Sequence, residues 1–456
     1  MSENATKQHV EKKVEQHLES VNRELESGAL HNVQLMLNDL HPAELAQMLE
    51  SMPQRRREFV WETIAADTKG EVLLHVNDEV RAGLIENMAD VQLVAAADGM
   101  DTDDLADLIT DLPDAVIREV LRSMDKQDRS RLETVLAYPE DSAGGLMNTD
   151  TITIRSEVTL DVVFRYLRIH GELPDHTDAL IVVNRFDHYL GQLSLRVLLT
   201  SDPALTVAEV MNKEKPAIPV KMPDNEVAQI FENRDLISAP VVDAENRLLG
   251  RITIDDVVDV IRDEADHSLM SMAGMDEEGD MFAPVLVSTR RRAVWLGINL
   301  ITAFLAAWVI GLFQTTLDKV VALAVLMPIA ASMGGVAGTQ TLTLVIRGLA
   351  LGQIGKSNAR TLLWKELGVG VLNGILWSVV VAIVAIAWFD DVRIGGFIAA
   401  AMLINLITAA VAGFSVPLLL RRFGMDPALG GSVTLTTITD VVGYASFLGL
   451  AAWYLF

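Results

Sequence analysis

The sequence predicts a multidomain protein in which an all-α superhelical N-terminal domain, a tandem pair of α/β domains and a connecting helix precede a transmembrane domain of five helices. Three observations predict this organisation. The last third of the chain holds five long apolar stretches, the acidic residues are concentrated before them, and two different internal repeats occur in the acidic part.

The charge distribution separates two parts of the 456-residue chain, whose formal charge is −25. From Arg290 onward there are 11 Lys and Arg against 6 Asp and Glu, which leaves 26 against 56 for the first 289 residues. Such an acidic field repels nucleic acid and attracts divalent cations, although an acidic surface is often only a solvated face. We therefore expect no nucleic-acid partner. The absence of cysteine excludes disulfides and thiolate metal sites.

The helical N-terminal domain is predicted for residues 1–137. Residues 40–53 and 100–113 share a pattern of apolar positions three and four apart that closes with proline, and residues 80–88 carry a weaker copy. This spacing is typical of short amphipathic helices stacked in an array. By itself the pattern indicates no specific function.

The second repeat predicts two α/β domains, at residues 138–203 and 204–268. Segments 180–184 and 190–195 of the first unit parallel segments 239–243 and 249–254 of the second, and we expect Gly191 and Gly250 to form the turn between two short strands. The paired units resemble a tandem of CBS domains, a module that often binds adenine nucleotides. Gly274, Gly279 and Pro284 then interrupt a predicted connecting helix and link at 269–289, which leads to the first span.

The membrane domain is predicted for residues 290–456. Each apolar stretch reaches the ~20 residues needed to cross a bilayer; the stretches are 293–313, 320–344, 362–389, 394–420 and 428–456. Nine Lys and Arg lie on the side of Arg290 and two on the other. The positive-inside rule then places the N-terminus in the cytoplasm and Phe456 outside.

Asp440 lies in the middle of the last predicted span, where a carboxylate costs at least ~2.5–3.5 kcal/mol and usually has a function. One interpretation is a bound cation, since two such carboxylates in a two-fold dimer would balance a divalent charge. The other is a protonated Asp440 that is hydrogen-bonded between helices. Lys365 and Glu366, at the start of the third span, are predicted to form a pair that reaches the interface.

Oxygen donors surround this carboxylate in the sequence. Hydroxyl groups and glycines of the last span suit Mg²⁺, Ca²⁺ or Mn²⁺ better than copper or zinc. In the second span Pro328 and the glycines that follow predict a kink or break, and Gly334 with Gly338 equally fits close helix packing. Asn405 of the fourth span either faces the pore or bridges helices. The candidate pore-lining residues are Gly334, Gly335, Asn405, Gly430, Gly431, Thr436 and Thr437.

The motifs at 138–147, 334–340, 347–350, 426–428 and 436–443, in this domain order, resemble those of MgtE magnesium transporters. The resemblance implies a homodimer in a bacterial plasma (inner) membrane, with a Mg²⁺ pore on the two-fold axis that closes when cytosolic Mg²⁺ is high. It also implies a hydrated ion at Asp440 and regulatory Mg²⁺ at acids of the N-terminal domain, the CBS pair and the connecting "plug" helix. These acids are Asp103, Asp107, Asp256, Asp259 and Glu264. ATP is a further expected ligand, at Thr253 and Asp256.

Departures from the family pattern leave alternatives open. Val336 stands where the family has an asparagine, and the plug sequence at 264–268 has fewer acids. A broader divalent-cation (Mn²⁺, Co²⁺) or proton-coupled transporter with weakened Mg²⁺ gating, and a membrane-anchored CBS sensor, are therefore alternative functions. An enzyme is not expected, because no phosphate-binding loop, nucleophile motif or histidine cluster is present.

Overall fold

The computed structural model describes residues 30–66, 68–97, 100, 102–171, 173–174, 176–275, 279–355 and 357–455. The chain divides into two compact units. The first comprises residues up to Ala265 together with 278–283, and the second comprises 266–277 and the chain from Pro284 onward. The predicted start of the helical domain, residues 1–29, lies outside the described residues.

Nine short helices open the described part of the first unit. They are α1 (Leu30–Asn38), α2 (Pro42–Glu50), α3 (Gln54–Thr63), α4 (Lys69–His75), α5 (Asp78–Glu86), α6 (Asp90–Ala97), α7 (Thr102–Asp111), α8 (Asp114–Ser123) and α9 (Lys126–Val135). Helices this short are marginal alone, so tertiary packing must hold them. Helix α2 packs on α4, α4 on α6, α6 on α8 and α7 on α9. The predicted helical array is confirmed.

Local capping explains why these helices begin where they do. His41 accepts a hydrogen bond from the backbone of α2, and Asn77 and Asp125 cap α5 and α9 in the same manner. Pro53 and Pro113 stand immediately before α3 and α8 in an extended conformation. The proline that closes each copy of the sequence repeat therefore also starts the next helix.

The two α/β repeats each contain a three-stranded sheet in which the first pair of strands is parallel and the second antiparallel. The first repeat has β1 (Thr153–Arg155), α10 (Leu160–His170), β2 (Ala179–Val183), β3 (Tyr189–Ser194) and α11 (Leu195–Thr200). The second has α12 (Val207–Val210), β4 (Ile218–Pro219), α13 (Asp224–Arg234), β5 (Ser238–Val242) and β6 (Leu248–Thr253). Buried residues from β4 to the start of α14 share one core with the N-terminal helices, whereas the first repeat and Val207 of α12 form a separate core.

The predicted position of the hairpin glycines is wrong. Gly191 and Gly250 lie inside β3 and β6, and the left-handed residues of the two turns are Asp187 and Asn246. A Cβ atom at Gly191 or Gly250 would lie 2.5 Å or 2.6 Å from a backbone carbonyl oxygen. These glycines are therefore required because another chain segment approaches the strand closely.

The connecting helix also differs from the prediction. Helix α14 (Ile254–Met272) begins directly after β6, so it precedes most of the predicted segment 269–289. It ends at a turn in which Gly274 has a left-handed backbone (φ +66) and packs against the indole of Trp295. The link ends at Pro284, which stands immediately before the next helix.

The five predicted spans are present as helices long and apolar enough to cross a membrane. They are α15 (Val285–Gly311), α17 (Ala322–Ala350), α18 (Ala359–Phe389), α19 (Val392–Arg422) and α20 (Pro427–Leu455), and the short α16 (Gln314–Lys319) follows the first. Helix α17 continues through Pro328, so the predicted break does not occur there. A proline near the start of a helix removes a single intrahelical hydrogen bond, which the remaining turns tolerate.

Two apolar clusters hold the bundle, at different levels along its helices. One joins Leu323 and Ile398 to Phe447, and the other joins Leu342 and Val416 with residues of α20. On α17, α19 and α20 alike, a stretch of about ten residues lies between the two clusters. Gly334, Asn405 and Asp440 fall in this middle stretch.

Candidate ion site in the membrane domain

One face of α17 carries most of the polar surface in the middle of the bundle. Ser332, Gly335, Val336, Thr339 and Gln340 follow one another at the three- and four-residue spacing that places side chains on one side of a helix. These residues are exposed or half-buried. This exposed face is polar, whereas other exposed positions of α17, such as Val325 and Leu344, are apolar.

Helix α20 places Asp440 and Thr436, one turn apart, beside this face of α17. Together with Ala331 the two faces line an open cleft of about 480 Å³. Asp440 is the only ionisable residue in its lining. The Thr436 hydroxyl donates a hydrogen bond to the Ser432 carbonyl, so its oxygen lone pairs remain available as acceptors. The cleft thus offers hydroxyl, amide and carboxylate oxygens, which are ligands for hard cations or for their bound water.

The structure separates the predicted pore-lining residues into two groups. Gly335 and Thr436 line the cleft with Asp440. Gly334, Gly430 and Gly431 instead lie where neighbouring side chains approach the helix backbone: Asn405 at Gly334, Leu420 at Gly430 and Leu342 at Gly431. Thr437 donates to the Val433 carbonyl and is not part of the lining. These four residues do not line the cleft, because the three glycines lie at close helix contacts and the Thr437 hydroxyl bonds to its own helix; a pore-lining role for them stays a prediction.

Asn405 bridges helices and is fully buried. Its Nδ2 donates to the Ala330 carbonyl of α17 at 2.7 Å. The same nitrogen would lie 2.1 Å from a Cβ at Gly334 and 2.8 Å from one at Gly443 of α20. Of the two interpretations that the sequence allows, helix bridging is the one observed.

Lys365 and Glu366 form the predicted pair, although the glutamate is buried. Its side chain is 8% exposed, and Thr341 of α17 donates to its Oε2 at 3.3 Å. The exposed Lys365 lies 3.0 Å from the other carboxylate oxygen. The lysine extends outward, whereas the glutamate is buried between α17 and α18.

Sequence reasoning missed Ser332, Thr339 and Gln340 as cleft residues. Their shared helical face could have been recognised from their spacing in the second span. This polar face was not recognised because Gly334 and Gly338 in the same stretch indicate close packing against another helix. Only the positions of the neighbouring helices show which side of α17 is covered.

Three predicted regulatory acids lie near one another in the first unit. Asn148 donates to Asp103 at 3.2 Å, and the Asp103 charge acts on both Asp107 and Asp256. Burial, followed by the charges of Asp103 and Asp255, raises the pKa of Asp256 to about 8.

Asp107 shows a similar shift. Burial, followed by the charges of Glu140 and Asp103, raises its pKa to about 7. Its side chain nonetheless remains exposed, so solvent screening reduces the energetic weight of this shift. Glu140, which sequence reasoning did not select, belongs to the same acidic neighbourhood.

The other predicted regulatory acids lie further along α14. Asp259 pairs with Arg262 at 3.4 Å and Glu264 is exposed. Within the described residues, no three His, Asp or Glu side chains are grouped closely enough to hold a metal ion. A cation at these acids would therefore be held by one or two carboxylates and water.

The predicted nucleotide residues lie where β6 passes into α14. Thr253 is buried, and its hydroxyl donates to Asp256 at 3.1 Å and also contacts Asp255. These polar groups satisfy one another at the helix start. ATP binding at Thr253 and Asp256 stays a prediction.

The fold and the cleft define a class, a multi-pass membrane protein whose spans carry an acidic site and whose N-terminal part consists of helical and paired α/β domains. Family models agree with each part. The model described as "MgtE: Divalent cation transporter" matches residues 327–450, the MgtE intracellular N domain matches 40–141, and the CBS domain matches 207–263.

Relatives extend the agreement over nearly the whole chain. The magnesium transporter MgtE of Bacillus subtilis is 27% identical over 94% of this chain and 96% of its own length, and that of Thermus thermophilus is 29% identical over 95% and 97%. A crystal structure of the cytosolic domain of the Mg²⁺ channel MgtE in complex with ATP is 30% identical, covers 53% of this chain and 99% of that chain, and has a TM-score of 0.48. The chain belongs to the MgtE family of divalent cation transporters. It is accordingly a transporter and not an enzyme.

Proposed function

We propose that this chain transports Mg²⁺ across a bacterial plasma membrane through a pore shared by two copies, with Asp440 as the ion site. The observation that carries the proposal is the polar cleft, which holds a lone carboxylate in the middle of a membrane-spanning bundle. A polar residue at that depth is costly unless it faces protein or water. The relatives named as magnesium transporters support Mg²⁺ as the transported ion.

The openness of the cleft supports a homodimer. Ser332, Val336, Thr339 and Gln340 are exposed along its wall, so a single copy would present this wall to lipid. A second copy related by a two-fold axis would cover it with the same surface. The two Asp440 carboxylates would then balance one divalent charge.

A hydrated ion suits this lining best. Mg²⁺ gives up its water reluctantly, and proteins usually bind it through one or two carboxylates while several waters remain. Thr436, Thr339 and Gln340 could accept hydrogen bonds from such waters. Methionine, histidine and cysteine, which would favour softer metals, do not occur in the lining.

Gating by cytosolic Mg²⁺ is the second part of the proposal, with the N-terminus in the cytoplasm and the C-terminus outside. Asp103 and Asp256 repel each other when both are ionised, and a divalent cation between them would remove that repulsion. Cation binding would therefore favour the arrangement in which α7 and the start of α14 are close.

A broader divalent-cation transporter is the second candidate. Val336 is 56% exposed and places an aliphatic side chain on the cleft wall one turn from Gln340. An apolar group there cannot hold a water of hydration, so discrimination between Mg²⁺ and Co²⁺ or Mn²⁺ would weaken.

The test is ion flux into liposomes that contain the full-length protein. Asp440→Asn keeps the size of the side chain but removes its charge. We expect Mg²⁺ flux to fall by about 10-fold or more, because the loss of an electrostatic contact worth ~1.4 kcal/mol corresponds to a factor of ten. Asp318→Asn, at an exposed position on α16, is the matched control and should transport normally. Wild-type flux in Asp440→Asn would overturn the proposed site. Parallel measurements with Co²⁺ and Mn²⁺ separate the two candidates.

A further inference from the structure

A buried polar side chain lies at the centre of the bundle. Asn405 of α19 is 0% exposed and lies at the point where α17, α19 and α20 meet. Its amide nitrogen donates to the Ala330 carbonyl at 2.7 Å. Two glycines, Gly334 and Gly443, leave the room that this amide occupies, because a Cβ at either would lie within 2.8 Å of Nδ2.

The buried amide of Asn405 does not maximise the stability of the bundle. The Asn405 Oδ1 atom is buried and has no hydrogen-bond partner among the described residues. A buried oxygen without a donor costs about 1–3 kcal/mol. The opposite orientation of the amide would bring Oδ1 against the Ala330 carbonyl, so the assignment of nitrogen and oxygen is fixed by chemistry. An apolar side chain would fill the site without that cost, which indicates a role other than packing.

The contacts of Asn405 lie directly behind the cleft. Ala330, which accepts its hydrogen bond, is followed by Ala331 of the cleft lining. Gly443, which its amide touches, lies one helical turn after Asp440, and its own surface approaches the Ala331 backbone. Asn405 therefore contacts both helices that form the cleft, at residues that lie next to the lining and not in it.

The fully buried members of the apolar clusters end before this level, and only the partly buried Ile438 of α20 extends into it. One cluster packs residues up to Ala330 on α17, Ala401 on α19 and from Phe447 on α20. The other begins again at Leu342 and Ala412. Between them, Asn405 adds a polar contact with both α17 and α20, beside the direct approach of Gly443 to Ala331 and of Leu435 to Gly338.

We propose that Asn405 is a positioning residue for the ion site, which sets the distance between the Asp440 carboxylate and the polar face of α17. The inference rests on the proposed function of Asp440. It assigns Asn405 no direct contact with the ion. A positioning role explains why the buried Asn405 Oδ1 atom without a partner is tolerated, since the same amide fixes the width of the cleft. It also explains Gly334 and Gly443, which leave the space that the amide occupies.

The experiment compares Asn405→Leu with wild type in full-length protein. Leucine branches at the same carbon as asparagine but cannot donate a hydrogen bond to the Ala330 carbonyl. That carbonyl lies inside α17, so it can still accept a hydrogen bond from the backbone of its own helix. We expect the thermal midpoint in detergent to be retained, because the unpaired oxygen is also removed. We expect the half-saturating Mg²⁺ concentration for flux to rise by roughly 10-fold, the lower end of the range for residues that orient metal ligands. The preference for Mg²⁺ over Co²⁺ should fall in parallel.

Two further variants keep the inference testable. Gly443→Ala retains Asn405 but displaces its amide, and it should reproduce the raised half-saturation if Asn405→Leu does not fold. Met402→Leu, another buried change on α19, is the packing control and should leave half-saturation unchanged. Wild-type half-saturation and selectivity in a folded Asn405→Leu protein would overturn the positioning role. If Asp440→Asn also transports normally, the proposed ion site itself fails.

Discussion

Arg57 of α3 and Asp280 of the link before the first span form a buried, bidentate ion pair in which two N···O distances are 2.9 Å and each side chain is 6% exposed. The guanidinium also donates to the carbonyls of Leu49 and Met52, and the backbone N–H of Asp280 donates to Glu79. The link at 279–283 is thus fixed to the helical N-terminal domain, although it follows α14 in the chain.

The first prediction concerns this ion pair. Removing one partner leaves the other charge buried without compensation, so Arg57→Ala or Asp280→Ala should lower the free energy of unfolding of the first unit by about 3 kcal/mol. Hydrogen–deuterium exchange of α3 and of residues 279–283 measures this loss. Arg129→Ala breaks an exposed pair within α9 and should cost at most ~0.5 kcal/mol. Equal effects of the buried and the exposed change would contradict the prediction.

The second prediction concerns pH. The pKa of Asp256 is raised to about 8, so the first unit is most stable while this carboxyl is protonated and loses that stability as pH rises from about 4 through 8. Its thermal midpoint should therefore fall between about pH 4 and 8 and then level off, and Mg²⁺ should restore it most at the alkaline end. Asp256→Asn should flatten the profile, whereas Glu264→Gln, an exposed change on the same helix, should not. A Mg²⁺ effect of the same size at pH 6 and pH 9 would argue against a cation at Asp256.

The third prediction compares two glycines. A Cβ at Gly250 would lie 2.6 Å from the backbone oxygen of Asn148, a contact that only a backbone shift can relieve. Gly250→Ala should therefore destabilise the first unit by about 1–3 kcal/mol. Gly83, inside α5, has open space around it, and Gly83→Ala should stabilise by up to ~1 kcal/mol. Chemical denaturation of both variants measures whether the free energy of unfolding falls or rises. An unchanged free energy of unfolding in Gly250→Ala would contradict the prediction and show that β6 can shift away from the Asn148 backbone.

The fourth prediction concerns Val336. Val336→Asn adds an amide to the cleft wall, which can hold a water of the ion's hydration shell, so Mg²⁺ should be preferred over Co²⁺ several-fold more than in wild type. Competition between the two ions for flux is the measurement. Leu344→Asn, an equally polar change on the exposed surface of α17 outside the cleft lining, should leave the preference unaltered. An unchanged preference in Val336→Asn would remove this side chain from ion discrimination.

The domain order, the five spans, the helical array and the doubled α/β unit can all be predicted from the amino-acid sequence. These features rest on local properties, namely apolar length, three- and four-residue spacing, and internal repetition, which neighbouring segments do not alter. Asp440 belongs with them, since a carboxylate in the middle of an apolar span stands out in any context.

Helix packing, which the sequence does not reveal, determines which polar and small residues face the cleft and which face another helix. Gly334 and Gly335 are adjacent in sequence, yet one lies against Asn405 and the other lines the cleft. Gly250 is similarly predicted to be a turn residue, but in the structure it lies within β6, against the backbone of Asn148. The physical reason is common to these cases. A glycine or an amide is compatible with several local environments, and only the chain packed against it selects one.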